Sequence, residues 1–144
     1  MPLDDRRRPS QAPPKAPDPR HELGRLGEQL AAEHLLRRGF RVLARNVRTR
    51  SGEIDLIGFD GRTLVFVEVK TSRAAHGPRG EAGDGPLARL KPRQRARLRR
   101  QAAAWLCDPS RRAPHAHTIR LDAVGVTVDR AGRLLRLDHV EGAW

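Results

Sequence analysis

The chain has 144 residues, with Lys and Arg contributing 29 and Asp and Glu 17, for a formal net charge of +12. That length suits one domain around a single core, and a hydrophobic share of 38% can supply it. With three Phe, two Trp and no Tyr, the core must rest on aliphatic side chains, and a stacking platform for single-stranded nucleic acid is disfavoured.

A surplus of positive charge this large favours a polyanionic partner, most commonly nucleic acid. The few aromatics point to contacts with the backbone rather than with the bases. The basic residues are nearly all arginine, which leaves Lys15, Lys70 and Lys91 as the lysines. The two side chains are not interchangeable in a site. Cys107 stands alone, so no internal disulfide can form, and a reducing, cytoplasmic setting is expected. No apolar run approaches the roughly 20 residues of a membrane span, and the N-terminus carries no apolar stretch that would make a signal peptide.

Residues 1 to 20 are rich in proline and charge and poor in large apolar side chains. They are expected to form a disordered tail, with the folded domain spanning 21–144. Helical spacing of Leu23, Leu26, Leu30 and Leu35 predicts a helix from His21 to Arg38, ended by Gly39. Phe40 to Val47 reads as a strand with Phe40, Val42 and Ala44 on one side. Two more strands follow, Gly52 to Phe59 and Thr63 to Lys70, with Asp60-Gly61 as a hairpin signal. Residues 71–90, with Gly77, Gly80, Gly83 and Gly85, read as a mobile loop. Pro92 opens a second helix that closes at Leu106. After a loop, strands Thr118–Val128 and Leu134–Val140 complete the sheet across a turn at Asp129–Gly132. The expected class is α/β, in the order α-β-β-β-α-β-β.

The chemistry concentrates in the two middle strands. Side chains alternate faces along a strand, so Glu53 pairs with Asp55 and Glu68 with Lys70 on a face. A two-residue turn at Asp60-Gly61 places Asp55 opposite Phe66 and diagonal to Glu68. A turn at Gly61-Arg62 makes Asp55 face Glu68 directly. Either register keeps Asp55, Glu68 and Lys70 within a cross-strand reach of roughly 4.5–8 Å. Two carboxylates so close repel, and a divalent cation with hard oxygen ligands, Mg²⁺ or Mn²⁺, removes the conflict. Such a cation can activate water against a phosphodiester, with Lys70 orienting that water or stabilising developing charge. Glu and Lys flanking a valine also occur on solvated edge strands. Here they follow the nearly continuous apolar run Leu64-Val-Phe-Val67, which suits a strand covered on both faces.

Gly52-Glu-Ile-Asp-Leu56 followed by Phe66-Val-Glu-Val-Lys70 resembles the PD-(D/E)xK nuclease signature. More narrowly, the stretch from about Gly24 onward is similar to the bacterial YraN family. The likeness includes Gly24-x-x-Gly-Glu28, Asn46 and a lysine before the second helix, matched by Lys91. It implies a restriction-endonuclease-like fold, a mixed central sheet flanked by helices, shared with archaeal Holliday junction resolvases. It also implies a metal-dependent endonuclease acting on DNA, with branched or damaged DNA among its substrates. The metal would be held by Asp55 and Glu68, with Glu28 on the first helix as the matching third ligand. Glu53 reads as a supporting acid or simply as the residue entering the strand.

The second helix carries Arg93, Arg95, Arg97, Arg99 and Arg100. With Lys91 at its start, a face made of Lys91, Arg93, Arg97 and Arg100 is expected to track phosphates. His115 and His117 lack the partners a zinc site needs. His34 reads as a packed histidine, and the glycine-rich loop lacks the ending of a phosphate loop. The rival readings are a catalytically silent nucleic-acid-binding module on the same fold and a basic RNA-associated protein. Cutting both strands of a duplex would favour a homodimer.

Overall fold

The structure is a computed structural model that describes residues 14–74 and 85–143. Most of the expected tail, and Gly77, Gly80 and Gly83 of the expected loop, lie outside the described residues. The first helix, α1, spans Pro19–Arg37, two residues earlier than its apolar stripe suggests. Asp18 explains the difference: its Oδ1 accepts the Arg20 amide at 2.9 Å, and Pro19 suits the first turn. Gly39 ends the helix in a left-handed conformation with φ +89°.

Five strands form one sheet in sequence order: β1 (Arg41–Thr49), β2 (Gly52–Phe59), β3 (Thr63–Arg73), β4 (Thr118–Val128) and β5 (Leu134–Val140). Only β3 and β4 are parallel, and α2 (Pro92–Cys107) lies in the connection between them. The other neighbours run antiparallel. This is a mixed α/β sheet between two helices, in the order of the restriction-endonuclease-like fold. The expected loop at 71–90 is shortened at both ends: β3 continues to Arg73, paired to β4 throughout, and Pro86–Arg89 forms a 3-10 turn. That turn packs on Gly125 of β4, where a Cβ would come within 2.8 Å of Leu87.

Two apolar clusters sandwich the sheet. On one face Ala31, Ala32 and Leu35 of α1 meet Leu56, Val65, Val67, Val124, Val126 and Val128. On the other, Leu98, Ala102 and Trp105 of α2 meet Val47, Ile54, Ile57, Leu64 and Phe66. Phe40 and Val42 belong to the α1 side, but Ala44 packs on the α2 side. A register shift between Val42 and Ala44 inserts Leu43 as an extra residue and reverses the alternation expected from the sequence.

The β2–β3 hairpin takes the second of the two registers. Phe59 pairs with Leu64 and Ile57 with Phe66, so Gly61-Arg62 is the turn and Asp55 comes level with Glu68. Asp60 moves the turn by one residue, because its Oδ1 accepts the amides of Arg62 at 2.9 Å and Thr63 at 2.7 Å. Gly61 supplies the positive φ, +99°.

Candidate functional site

The site forms where regular pairing stops. The β2–β3 ladder ends at Leu56 and Val67, and beyond it the Val69 amide donates to Asp55 Oδ2 at 2.7 Å. Face alternation fails at the same place. Ile54 packs on the α2 side and Leu56 on the α1 side, although residues two apart normally share a face. On β1 the residue level with Asp55 is Asn46, between the pairs Arg45–Leu56 and Val47–Ile54. It holds φ +50°, the left-handed region in which asparagine is the best tolerated of the larger residues. The distortion thus runs across β1 and β2 and gathers acidic groups at the gap.

Carboxylate oxygens of Glu28, Glu53 and Asp55 lie within 4.8 Å of one another. Glu28 comes from α1, whose approach depends on Gly27. A Cβ on Gly27 would overlap the Thr71 hydroxyl and sit 2.7 Å from the Thr71 Cβ. Helix and strand therefore touch nearly backbone to backbone, and the next side chain, Glu28, reaches the strand gap. The Asn46 side chain bonds Glu28, and Arg45 Nη1 donates to Gln29 Oε1 at 2.6 Å. Together these contacts hold the helix over β1.

Electrostatics disfavour full ionisation of the cluster. Burial, then the charge of Glu68, push the Asp55 carboxyl up to about 7; Glu28 and Glu53 add to this, and the Val69 amide opposes it. Glu28 is also raised, mainly by burial. Glu68 is therefore close enough to repel Asp55, but its Oε1 lies 3.2 Å from Lys70 Nζ. Of the residues singled out in the sequence, Asp55, Glu68, Lys70 and Glu28 meet at this one place. Glu53 completes the group of three carboxylates within 4.8 Å, although Glu68 acts on Asp55 more strongly than Glu53 does. The donor set is entirely carboxylate oxygen, which fits a hard divalent cation such as Mg²⁺ or Mn²⁺.

Lys91, Arg93, Arg97 and Arg100 are exposed, while Leu98, Gln101, Ala102 and Trp105 face the sheet. The Lys91 amide donates to Gln94 Oε1 at 2.9 Å, closing the N-terminus of α2. Gln101 is 3% exposed and sits against Gly52, where a Cβ would be 2.5 Å from its Nε2. That contact brings the middle of α2 over the β1–β2 turn, beside Glu53. His115 and His117 are exposed, their rings 5.8 Å apart. His34 bonds His139 at 3.0 Å. No helix among the described residues is long and apolar enough to cross a membrane.

Residues 27–126 match the model of a family described as "Uncharacterised protein family UPF0102". A UPF0102 protein of Acidothermus cellulolyticus is 41% identical over 132 residues, covering 87% of this chain and 95% of the relative. Another, from Parafrankia sp., is 44% identical over 123 residues, 85% and 95% of the two chains. A third, from Beutenbergia cavernae, is 46% identical over 121 residues, 83% and 93%. The chain belongs to the UPF0102, or YraN, family.

Proposed function

We propose that the protein is a metal-dependent endonuclease that hydrolyses phosphodiester bonds of DNA. One observation carries the reading: Glu28, Glu53 and Asp55 converge within 4.8 Å of one another, beside Glu68 and Lys70, in a chain of net charge +12. Carboxylates crowded against mutual repulsion are stable together only if protonated or if a cation sits among them.

Asp55, Glu28 and Glu53 would hold the cation, with Glu68 able to join by leaving Lys70. When bound, Mg²⁺ or Mn²⁺ supplies Lewis acidity toward a phosphoryl oxygen and lowers the pKa of water. The chain's own residues do the rest. The Asn46 side chain and the Val69 amide fix two of the carboxylates, so that little reorganisation accompanies charge development. Lys70 would orient the attacking water or stabilise charge on the phosphate. Lys91, Arg93, Arg97 and Arg100 engage the DNA backbone, which gives affinity without sequence reading.

The reading is tested by calorimetric Mn²⁺ titration of wild type beside Asp55→Ala, with cleavage assays on linear, nicked and branched DNA. Metal binding and cutting that are both lost in Asp55→Ala and Glu68→Ala are the expected result. Salt-sensitive DNA binding indifferent to metal and to Asp55→Ala would instead identify a catalytically silent binding module.

A further inference from the structure

A second group of ionisable side chains, outside the acidic cluster, fastens the end of α1 to the edge strand β5. Asp122 of β4 is fully buried. Its Oδ1 accepts Arg120 Nε at 2.8 Å and the Gly142 amide at 3.0 Å, and its Oδ2 accepts Arg120 Nη2 at 2.9 Å. The remaining partner is His139 of β5, whose Nε2 lies 2.7 Å from Asp122 Oδ2. On the other side of the same ring, Nδ1 lies 3.0 Å from Nε2 of His34 on α1. The two rings meet edge to face, with centroids 5.1 Å apart. A continuous chain thus runs from a buried carboxylate through His139 to the last turns of α1.

Counting protons decides what this chain can do. An ionised carboxylate only accepts, so His139 carries its proton on Nε2. The bond between His139 Nδ1 and His34 Nε2 then needs one proton between the rings. With both rings neutral, His34 donates. With one proton added, one ring donates and the other still accepts. With both rings charged, two N–H groups face each other and the bond is lost. Nearby charges do not rescue that state, because each carboxylate already has an arginine. On β4, Asp122 is held by Arg120. Beyond β5, Glu141 is shared by Arg38 of α1 at 2.8 Å and Arg120 at 3.5 Å. On β5 itself, Asp138 pairs with Arg136 at 2.7 Å. Burial, then the charges of His139, Arg38 and Arg37, push His34 below its ordinary value.

We propose that the His34–His139–Asp122 chain is an acid-sensitive latch, which fastens the C-terminal end of α1 to β5 while at most one imidazole is charged and releases it when both are. Neither the metal nor the nuclease reading enters this inference. The sign of its pH dependence follows from linkage. A folded His34 that resists protonation binds fewer protons than the same residue in the unfolded chain. The latch therefore contributes fully above the ordinary histidine value of 6.5, and its contribution falls as pH drops below that value. Asp55 acts in the opposite sense, since its contribution to stability rises as pH falls. The two groups are thus distinguishable by sign as well as by place.

The test is native-state hydrogen exchange on the full chain in EDTA at about pH 7.5 and about pH 5, which bracket the ordinary histidine range. The amides of Arg38, Gly39 and Phe40 close the end of α1, and those of Val65 and Val67 in β3 serve as the reference. After correction for intrinsic exchange, the helix-end amides should open on the order of fivefold more readily at the lower pH, the effect of one lost hydrogen bond. The β3 amides should not follow. His34→Gln keeps an amide donor for His139 Nδ1 but cannot take a charge, so its helix end should be equally protected at both pH values. Histidine side-chain nitrogen NMR on the wild type gives a second reading that needs no variant. The His34 ring should remain neutral at the pH where an ordinary histidine is half charged. Protection of the helix end that does not change with pH, loosening that persists in His34→Gln, or a His34 that charges as readily as an ordinary histidine overturns the proposal.

Discussion

Asp55 Oδ2 takes the amide of Val69 at 2.7 Å, just past the last β2–β3 pair, Leu56 and Val67. A side chain thus meets a strand donor where the hairpin ladder has ended. The bond fixes the carboxylate and favours its charged form, while burial and the neighbouring acids oppose that form more strongly. The result is a rigid, high-energy anion, a state that a cation or a proton relieves.

Asp55→Asn should therefore stabilise the metal-free protein at neutral pH. The folded carboxyl titrates near 7, above its ordinary value of 3.8, so the folded state holds more protons than the unfolded state between those limits. Its contribution to stability falls as pH rises from about 4 to 7 and is flat above. Asparagine keeps an oxygen for the Val69 amide and removes the charge. Urea unfolding should find the variant more stable than wild type at pH 8, by up to about 4 kcal/mol for a shift from 3.8 to about 7, with the gap closing toward pH 4. A gap that is absent at pH 8, or that widens in acid, would contradict the crowding described here.

Metal affinity should follow the same group. A divalent cation and a proton compete for Asp55, so Mn²⁺ association is expected to rise up to about tenfold per pH unit below 7 and then level off. Calorimetry across pH 5.5–8.5 reads this directly (about that range brackets the titration near 7). An affinity independent of pH over that window would remove Asp55 from the ligand set.

Gly27→Ala offers a sign test of how Glu28 is delivered. Alanine in a helix is ordinarily worth up to about 1 kcal/mol over glycine. Here its methyl would collide with Thr71, a stiff β-branched side chain. A net loss of about 1–3 kcal/mol is expected from overpacking. Thr71→Ala, which deletes both the hydroxyl and the methyl that would collide, should recover part of the loss in a double-mutant cycle. Stabilisation by Gly27→Ala alone would show that α1 and β3 do not meet as closely as described.

Much of this arrangement can be read from local sequence, because strands and turns are written in short patterns. The aliphatic run from Leu64 to Val67 and the glycine after Asp60 suffice for the hairpin, and both registers they allow bring Asp55 near Glu68; the break in alternation at Asp55 does not show in them. What escapes is set by contacts distant in the chain. Gly27 looks like an indifferent helix residue until Thr71, far along β3, is placed against it. The extension of β3 to Arg73 depends on parallel pairing with β4, which no nearby residue signals. The Leu43 bulge and the left-handed Asn46 are backbone events with no compositional trace beyond asparagine's own tolerance. Trp105 reads as ordinary core, although its buried Nε1 has no hydrogen-bond partner among the described residues.

The basic face of α2 gives a last expectation that separates phosphate contact from mere solubility. Each phosphate neutralised adds about 0.9 to the slope of log affinity against log salt for duplex DNA. Arg93, Arg97 and Arg100 project from exposed positions, away from Leu98 and Trp105 in the core, so replacing all three by alanine should leave the melting temperature close to wild type. If each meets a phosphate, the slope should fall by up to about 3 and the affinity should drop alike for every DNA sequence. A slope unchanged in the triple variant would mean that these α2 arginines face solvent in the complex, and the DNA path would have to run over other exposed basic residues instead, such as Arg45, Arg48 and Arg50.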